Sequence, residues 1–280
     1  MSQLVLITGT SSGIGLSAAV ECAAAGHRVV ATLRDLDRRG ELEKAAAARN
    51  VPVSIEQLDV TADGIDTKIR ELILKYGPFY GLVNNAGIAI AGAFEELSDA
   101  DVREQFDTNV FGLMAVTRAI LPSMRAAQHG RIINVSSVSG RVGLPGVSAY
   151  AASKHAIEGF SESLRMELEM FGIQVCLVEP GMFKTPIYFA NQRRGALINK
   201  EGPYAALTQT IERRILEDIE KAPSPDVVGR AIARILGGTA PPFRTLVGRD
   251  AHAVVTLRRV MPDRLFVTGV RRLLGLPRSR

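Results

Sequence analysis

Two side chains in the middle of the chain are spaced to do proton chemistry together. Tyr150 and Lys154 stand four residues apart in an alanine-rich stretch, so on a helix they share one face. A phenol ordinarily loses its proton near pH ~10 and is a poor base at neutral pH. An ammonium close by favours the phenolate and is expected to lower that value. Near the start of the chain, Thr8-Gly9-Thr10-Ser11-Ser12-Gly13-Ile14-Gly15 places glycines and hydroxyls directly before a helical pattern. Glycines there permit a positive-φ turn and close approach of backbone to ligand and of helix to strand. The helix start then turns unpaired N–H groups and a positive dipole end toward a pyrophosphate. The spacing is G-x-x-x-G-x-G, and its place between first strand and first helix reads as a nucleotide cradle rather than a plain turn.

These residues need a scaffold, and the hydrophobic pattern supplies one. Short apolar runs at 4–8, 28–33, 53–58, 81–84, 131–136 and 174–179 read as strands. Stretches of helical length lie between them at 14–25, 37–49, 65–76, 99–128 and 149–171. Continuous apolar strands alternating with helices imply a parallel sheet covered on both faces, hence a doubly wound α/β domain. After Pro180 an irregular segment, 181–202, precedes helical patterns at 204–221 and 225–236 and a last strand at 244–248. The reading is a single domain over 1–240, with 241–280 as a C-terminal strand and basic helical extension.

Taken in order, Thr8-Gly9-x-x-x-Gly13-x-Gly15, Asn84-Asn85-Ala86-Gly87, Asn109, Ser137 and Tyr150-x-x-x-Lys154 resemble the motifs of the classical short-chain dehydrogenase/reductase family. Among its members the chain looks most like the steroid and retinol dehydrogenases. The resemblance implies a Rossmann-type, seven-stranded parallel sheet of order 3-2-1-4-5-6-7. It also implies hydride transfer between a nicotinamide and an alcohol or ketone carbon, with Tyr150 as general acid/base. Lys154 would also bond the nicotinamide ribose. Ser137, thirteen residues before Tyr150 and so selected over Ser136 and Ser139, would hold the substrate oxygen. Asn109 would hold a proton-relay water. Gly9, Ser11, Ser12, Gly13, Ile14 and Gly15 would line the pyrophosphate, Asp59 and Val60 the adenine, and Asn85, Ala86 and Gly87 the adenosine ribose. Pro180, Gly181, the Phe183 N–H and Thr185 would sit at the nicotinamide, with 181–202 as substrate lid. Each residue also has a plainer reading: Asp59 and Thr61 as turn caps, 85–87 as a small-residue turn, and Tyr150 with Lys154 as a surface pair.

The end of the second strand favours NADP(H) over NAD(H). Leu33 stands where NAD-using relatives place an aspartate, and Arg34 follows. A guanidinium there can grip a 2′-phosphate that a carboxylate would repel. The pocket candidates Ala89, Ala91, Phe94, Val142, Leu144, Val147, Phe183, Ile187, Tyr188 and Phe189 are mostly apolar. They suit a hydrophobic alcohol or ketone, although Arg141, Arg193 and Arg194 lie nearby in sequence.

Composition narrows the remaining classes. Of 280 residues, 46% are hydrophobic and 22% charged, which excludes a disordered chain. The net charge is +5, and residues 241–280 hold nine arginines against two aspartates. A basic tail on a near-neutral body does not fit a nucleic-acid binder. The tail can cap the cleft, join a subunit contact or lie on an anionic membrane; breaks at Pro262 and Gly269 favour the cap or the subunit contact over the membrane. Cys22 and Cys176, in apolar stretches, read as buried thiols, and no metal site is built from them. The start of the chain lacks a signal-peptide pattern, and no uninterrupted apolar run reaches the ~18 residues of a membrane span. A cytoplasmic homodimer or homotetramer, paired through the helices at 99–128 and 149–171, is the expectation. The competing classes are a catalytically silent dinucleotide sensor and a peripheral membrane protein.

Overall fold

Leu4-Val5-Leu6-Ile7 is an unbroken apolar run, the pattern of a strand covered on both faces. In the computed structural model, which describes residues 2–188 and 192–275, it forms β1 (Leu4–Thr8) with every residue buried. β2 (Arg28–Leu33), β3 (Val53–Gln57), β4 (Gly81–Asn84), β5 (Gly130–Val135), β6 (Ile173–Pro180) and β7 (Arg244–Val247) complete the main sheet. Its order is β3-β2-β1-β4-β5-β6-β7 and every pairing is parallel. Strand order reverses at β1, whose neighbours are β2 on one side and β4 on the other. That switch opens a crevice at the carboxyl ends of the strands, where doubly wound sheets bind ligands.

One face of the sheet carries α1 (Gly13–Ala24), α2 (Gly40–Ala48) and α8 (Asp226–Gly237), whose Ala18, Ala19, Leu42, Val228 and Ile232 pack with Val5, Val29 and Val83. The other face carries α3 (Ile65–Tyr76), α5 (Gly112–Ala127) and α6 (Ser148–Leu168), whose Ile69, Leu72, Val116, Ile120 and Leu164 meet Leu6, Val30 and Ile132. Cys22 and Cys176 are buried free thiols.

Several boundaries depart from the periodicity. The expected helix at 37–49 begins as a separate 3₁₀ turn, Leu36–Arg38, capped by Asp35, before α2 starts at Gly40. The expected helix at 99–128 divides into α4 (Asp99–Phe106), a π turn (Asp107–Phe111) and α5. The whole run Asp99–Ala127 is long and apolar enough by length and composition to cross a membrane, yet here it packs on α3 and α6 as a core helix. Within the segment expected to be irregular, Gln192–Arg194 pairs in parallel with Ala89–Ala91 as a separate two-stranded ribbon. After α7 (Ala205–Lys221), α8 and β7, the basic extension forms two helices, α9 (Arg249–Val260) and α10 (Asp263–Leu273).

Candidate active site

The glycine loop is held shut by contacts that only glycine allows. Gly9 and Gly13 adopt φ of +71° and +58°, a conformation that L side chains rarely take. A Cβ on Gly9 would lie 2.6 Å from Ala86 Cα, and one on Gly15 would lie 2.1 Å from the Gly9 carbonyl oxygen. A Cβ on Gly13 would lie 3.3 Å from Thr185 Cβ, so the segment after β6 crosses directly over the loop. α1 then opens with no acidic side chain in its first turn, leaving its positive end uncompensated from within.

Thr8 ties this loop to the turn after β4. Its Oγ1 accepts from the backbone N–H of Asn85 and of Ala86, both at 3.1 Å. Asn85 Nδ2 donates back to the carbonyls of Thr8 (3.0 Å) and Gly9 (2.9 Å). Asn85 and Ala86 are therefore braces of the cradle, the structural role that small residues at this turn admit. Gly87 is exposed beside them, and a Cβ on it would lie 3.1 Å from Asn109 Oδ1.

Along the crevice, Leu33 is buried and Arg34 exposed at the end of β2. The Asp35 carboxylate beside it accepts from Asp37 N at 2.9 Å and so caps the 3₁₀ turn. Asp59 Oδ1 accepts from the N–H (3.0 Å) and the hydroxyl (2.8 Å) of Thr61, while Val60 is buried beneath Gly112. Ser11, Ser12 and Ile14 are half-buried at the loop.

The proton-transfer groups come from three elements. α6 buries Ala151, Lys154, Ile157, Glu158, Ser161 and Leu164, an i, i+3, i+4 stripe that presses Lys154 against the end of β5. Lys154 Nζ donates to the Val135 carbonyl at 2.9 Å and lies 5.6 Å from the centre of the Tyr150 ring. The Ser137 side chain lies close enough to the Tyr150 phenol to favour its ionised form, and Ser137 Oγ accepts from Ser139 N at 3.1 Å. Burial pushes the Tyr150 phenol up to about 12, against a smaller lowering by Ser137. Burial likewise pulls Lys154 down to about 8, offset in part by the Glu158 charge. The expected lowering of the phenol by the ammonium is thus reversed in the free protein. In both groups the loss of solvation is the largest cause and outweighs the one opposing neighbour, Ser137 for the phenol and Glu158 for the ammonium.

Asn109 sits in the π turn. The extra residue there swings its amide toward the site, a recurrent use of such bulges. Its Nδ2 donates to the Ile88 carbonyl and to Ser153 Oγ, both at 3.0 Å, and its Oδ1 accepts from Ile88 N at 2.8 Å. Asn109 therefore joins the turn after β4 to α6.

On the substrate side the expectations divide. Pro180 ends β6, and Gly181 N donates to the Val247 carbonyl at 2.9 Å. Thr185 is buried, and Phe183 is buried too, its ring against Gly248 and in the core cluster of β6 and α8 rather than lining a pocket. Val147 and Ala91 line a narrow cleft with Ile198, Leu207 and Ile211. Val142 is buried, Leu144 and Ile187 are half-buried, and Ala89 lies in the ribbon. Phe94, expected in the pocket, stands 67% exposed on a 3₁₀ turn. Phe189 and the side chain of Tyr188 lie outside the described residues. A cavity of about 520 Å³ opens beside the 143–145 loop, lined by Pro145, Tyr204, Leu207, Phe266, Val267 and Val270.

Sequence reasoning missed the residues that hold these parts. Asp250 in α9 accepts from Met182 N at 2.7 Å, and a Cβ on Gly181 would lie 2.2 Å from its Oδ2. Behind Lys154, Glu158 and Glu179 share Arg244, whose Nε lies 3.0 and 3.5 Å from them. Glu158 carried a usable signal, since it falls at i+4 from Lys154 on the same face. Asp250 carried none.

A dinucleotide cradle at the topological switch, with a phenol, an ammonium and a hydroxyl converging at the next strand ends, defines a nicotinamide-dependent oxidoreductase of the doubly wound α/β class. The chain belongs to the short chain dehydrogenase family, whose model matches residues 3–194. It is 36% identical over 274 residues to retinol dehydrogenase 8 of Bos taurus, covering 93% of this chain and 86% of the relative. It is also 36% identical over 247 residues to 3-ketodihydrosphingosine reductase of Bacteroides thetaiotaomicron, covering 88% of each. Among solved structures, an actinorhodin polyketide ketoreductase with NADPH superposes with a TM-score of 0.72 at 28% identity, covering 88% of this chain and 95% of that one.

Proposed function

We propose that the protein is an NADP(H)-dependent oxidoreductase acting on a hydrophobic secondary alcohol or ketone of steroid, retinoid or lipid-like character. The observation that carries this reading is the Tyr150 phenol, set beside the buried Ser137 side chain and with the buried Lys154 Nζ 5.6 Å from its ring centre. The tight backbone turn at Gly9, Gly13 and Gly15, where Gly9 and Gly13 take positive φ and packing leaves no room for a Cβ on Gly9 or Gly15, fits a dinucleotide pyrophosphate. When bound, the nicotinamide supplies or accepts the hydride. Tyr150 gives a proton to the substrate oxygen or takes it back, and Ser137 holds that oxygen while charge develops on it. A phenol pushed up to about 12 stays protonated at neutral pH, which suits it to serve as acid toward a ketone. Lys154 keeps a positive charge near the ring and anchors the ribose. An intact acid/base set argues against a silent sensor.

Two features support NADP(H): the buried Leu33 where a repelling carboxylate would stand, and the exposed Arg34 beside it. The apolar cleft supports a hydrophobic substrate. So does the pairing of Arg141 with Glu179, Arg193 with Glu104 and Arg194 with Glu212, since these guanidinium groups are already matched to carboxylates. Exposed Phe111, Met166 and Met170 on the helices at 99–127 and 148–171 support a homo-oligomer paired there.

The test is a panel of apolar ketones and secondary alcohols with NADPH and NADH, followed by the absorbance of the reduced nicotinamide. Turnover of apolar ketones with an NADPH preference is expected. Arg34→Asp is expected to shift that preference toward NADH by about tenfold or more, from loss of a charge-assisted bond and new repulsion. No turnover across the panel, or a preference untouched by Arg34→Asp, refutes the respective half of the reading.

A further inference from the structure

The last two helices each bury one edge and turn an apolar stripe outward. In α10, Phe266 is buried and Val270 lines the 520 Å³ cavity. Leu265 (58%) and Leu273 (64%) are exposed. Leu265, Gly269 and Leu273 fall at i, i+4 and i+8, so they form one outward stripe. The break at Pro262 that counted against a continuous amphipathic face instead produces two helices, and α9 leaves Leu257 and Val260 exposed as well.

The charge beside this stripe has one sign. Arg259, Arg264 and Arg272 are exposed on these helices. The two acids that α9 and α10 contain are both engaged, Asp250 with Met182 N at 2.7 Å and Asp263 with Arg258 at 2.7 Å. An apolar stripe flanked by arginines, with no carboxylate left over, matches an anionic headgroup layer above hydrocarbon. The apolar cavity shares a wall with the stripe, because Val267 is both exposed and cavity-lining. From this juxtaposition we infer that α9 and α10 dock the protein on an anionic lipid surface. The docked face is then where an apolar substrate leaves the lipid for the cavity, a step that rests on the substrate reading proposed above.

Vesicle flotation of the full chain, with no substrate present, tests the docking. The probes are vesicles of phosphatidylcholine alone and of phosphatidylcholine with about a quarter phosphatidylserine, at about 0.1 and about 0.5 M NaCl. The expected result is at least about tenfold more floated protein on the anionic vesicles at low salt, lost at high salt. Leu265→Asp with Leu273→Asp is expected to abolish flotation, and Arg264→Glu with Arg272→Glu to lower it about tenfold or more. Both double variants are expected to keep the parent melting temperature and NADPH binding. The docking is overturned if the full chain does not float, or if both folded variants float like the parent. It is equally overturned if nothing floats and the leucine variant instead loses a dimer in sedimentation velocity, which would make the face a protein contact. Flotation without turnover of apolar ketones sinks the substrate reading alone; turnover without flotation sinks the docking alone.

Discussion

Thr8→Val isolates the tie between the cofactor loop and the turn after β4. The side chains have nearly the same shape, so packing at the end of β1 is kept while the acceptor is lost. Two backbone N–H groups, of Asn85 and Ala86, lose the oxygen that sits 3.1 Å from each. An unsatisfied buried donor costs about 1–3 kcal/mol. Asn85 and Ala86 are half-buried at the crevice, so water partly compensates and the lower end applies. Two donors at about 1 kcal/mol each make about 2 kcal/mol. At roughly 2–4 °C per kcal/mol for a domain of this size, the melting temperature falls by about 4–8 °C. Asn85 Nδ2 also loses its fixed aim at the Gly9 carbonyl, so NADPH affinity is expected to fall together with stability. Thermal unfolding by circular dichroism and calorimetric titration with NADPH read the two effects. Thr8→Ser keeps the oxygen and is expected to stay close to the parent in both. A valine variant that melts within about 1 °C of the parent would refute the reasoning, as would a serine variant that falls as far as valine.

Three further perturbations reach the rest of the site. Tyr150→Phe is expected to lower kcat by at least about 100-fold, in line with loss of a positioned acid, while calorimetry shows near-parent NADPH binding; retained turnover removes Tyr150 from its role. Burial and the neighbouring Glu158 charge raise Glu179 to about 7, so the folded state holds this proton more tightly than the unfolded chain does. Stability then falls as pH rises from about 4.5 to about 7, with the penalty complete above that window. Glu179→Gln is expected to flatten this slope in melting curves across the same range, and an unchanged slope would place the titration elsewhere. Gly181→Ala sets a methyl 2.2 Å from Asp250 Oδ2, so the Asp250 carboxylate must swing away from Met182 N, at a cost of about 1–3 kcal/mol for the lost charge-assisted bond. Adding Asp250→Ala should recover part of the lost melting temperature, and no recovery would mean that the clash lies with another neighbour.

Much of the molecule was legible before any coordinates, because it depends on near neighbours in the chain. Short unbroken apolar runs such as Leu4–Ile7, alternating with stretches of helical length, fit a doubly covered sheet, so six strands and their helices followed from pattern and length. The glycine spacing before α1 and the four-residue step from Tyr150 to Lys154 are local geometry, and the structure keeps both. Boundaries slipped where a local hydrogen bond competes with helix, as at the Asp35 cap, or where one extra residue widens a turn, as at Asp107–Phe111. Tertiary structure alone decided what desolvation does. It drove Tyr150 up to about 12 and Lys154 down to about 8, a direction that spacing could not supply because it depends on what else packs around the pair. It also decided which distant residues brace the site: Thr8 reaches Asn85 across 77 positions and Asp250 reaches Met182 across 68. Such bonds leave no periodicity in the chain, since they join elements brought together only when the sheet closes.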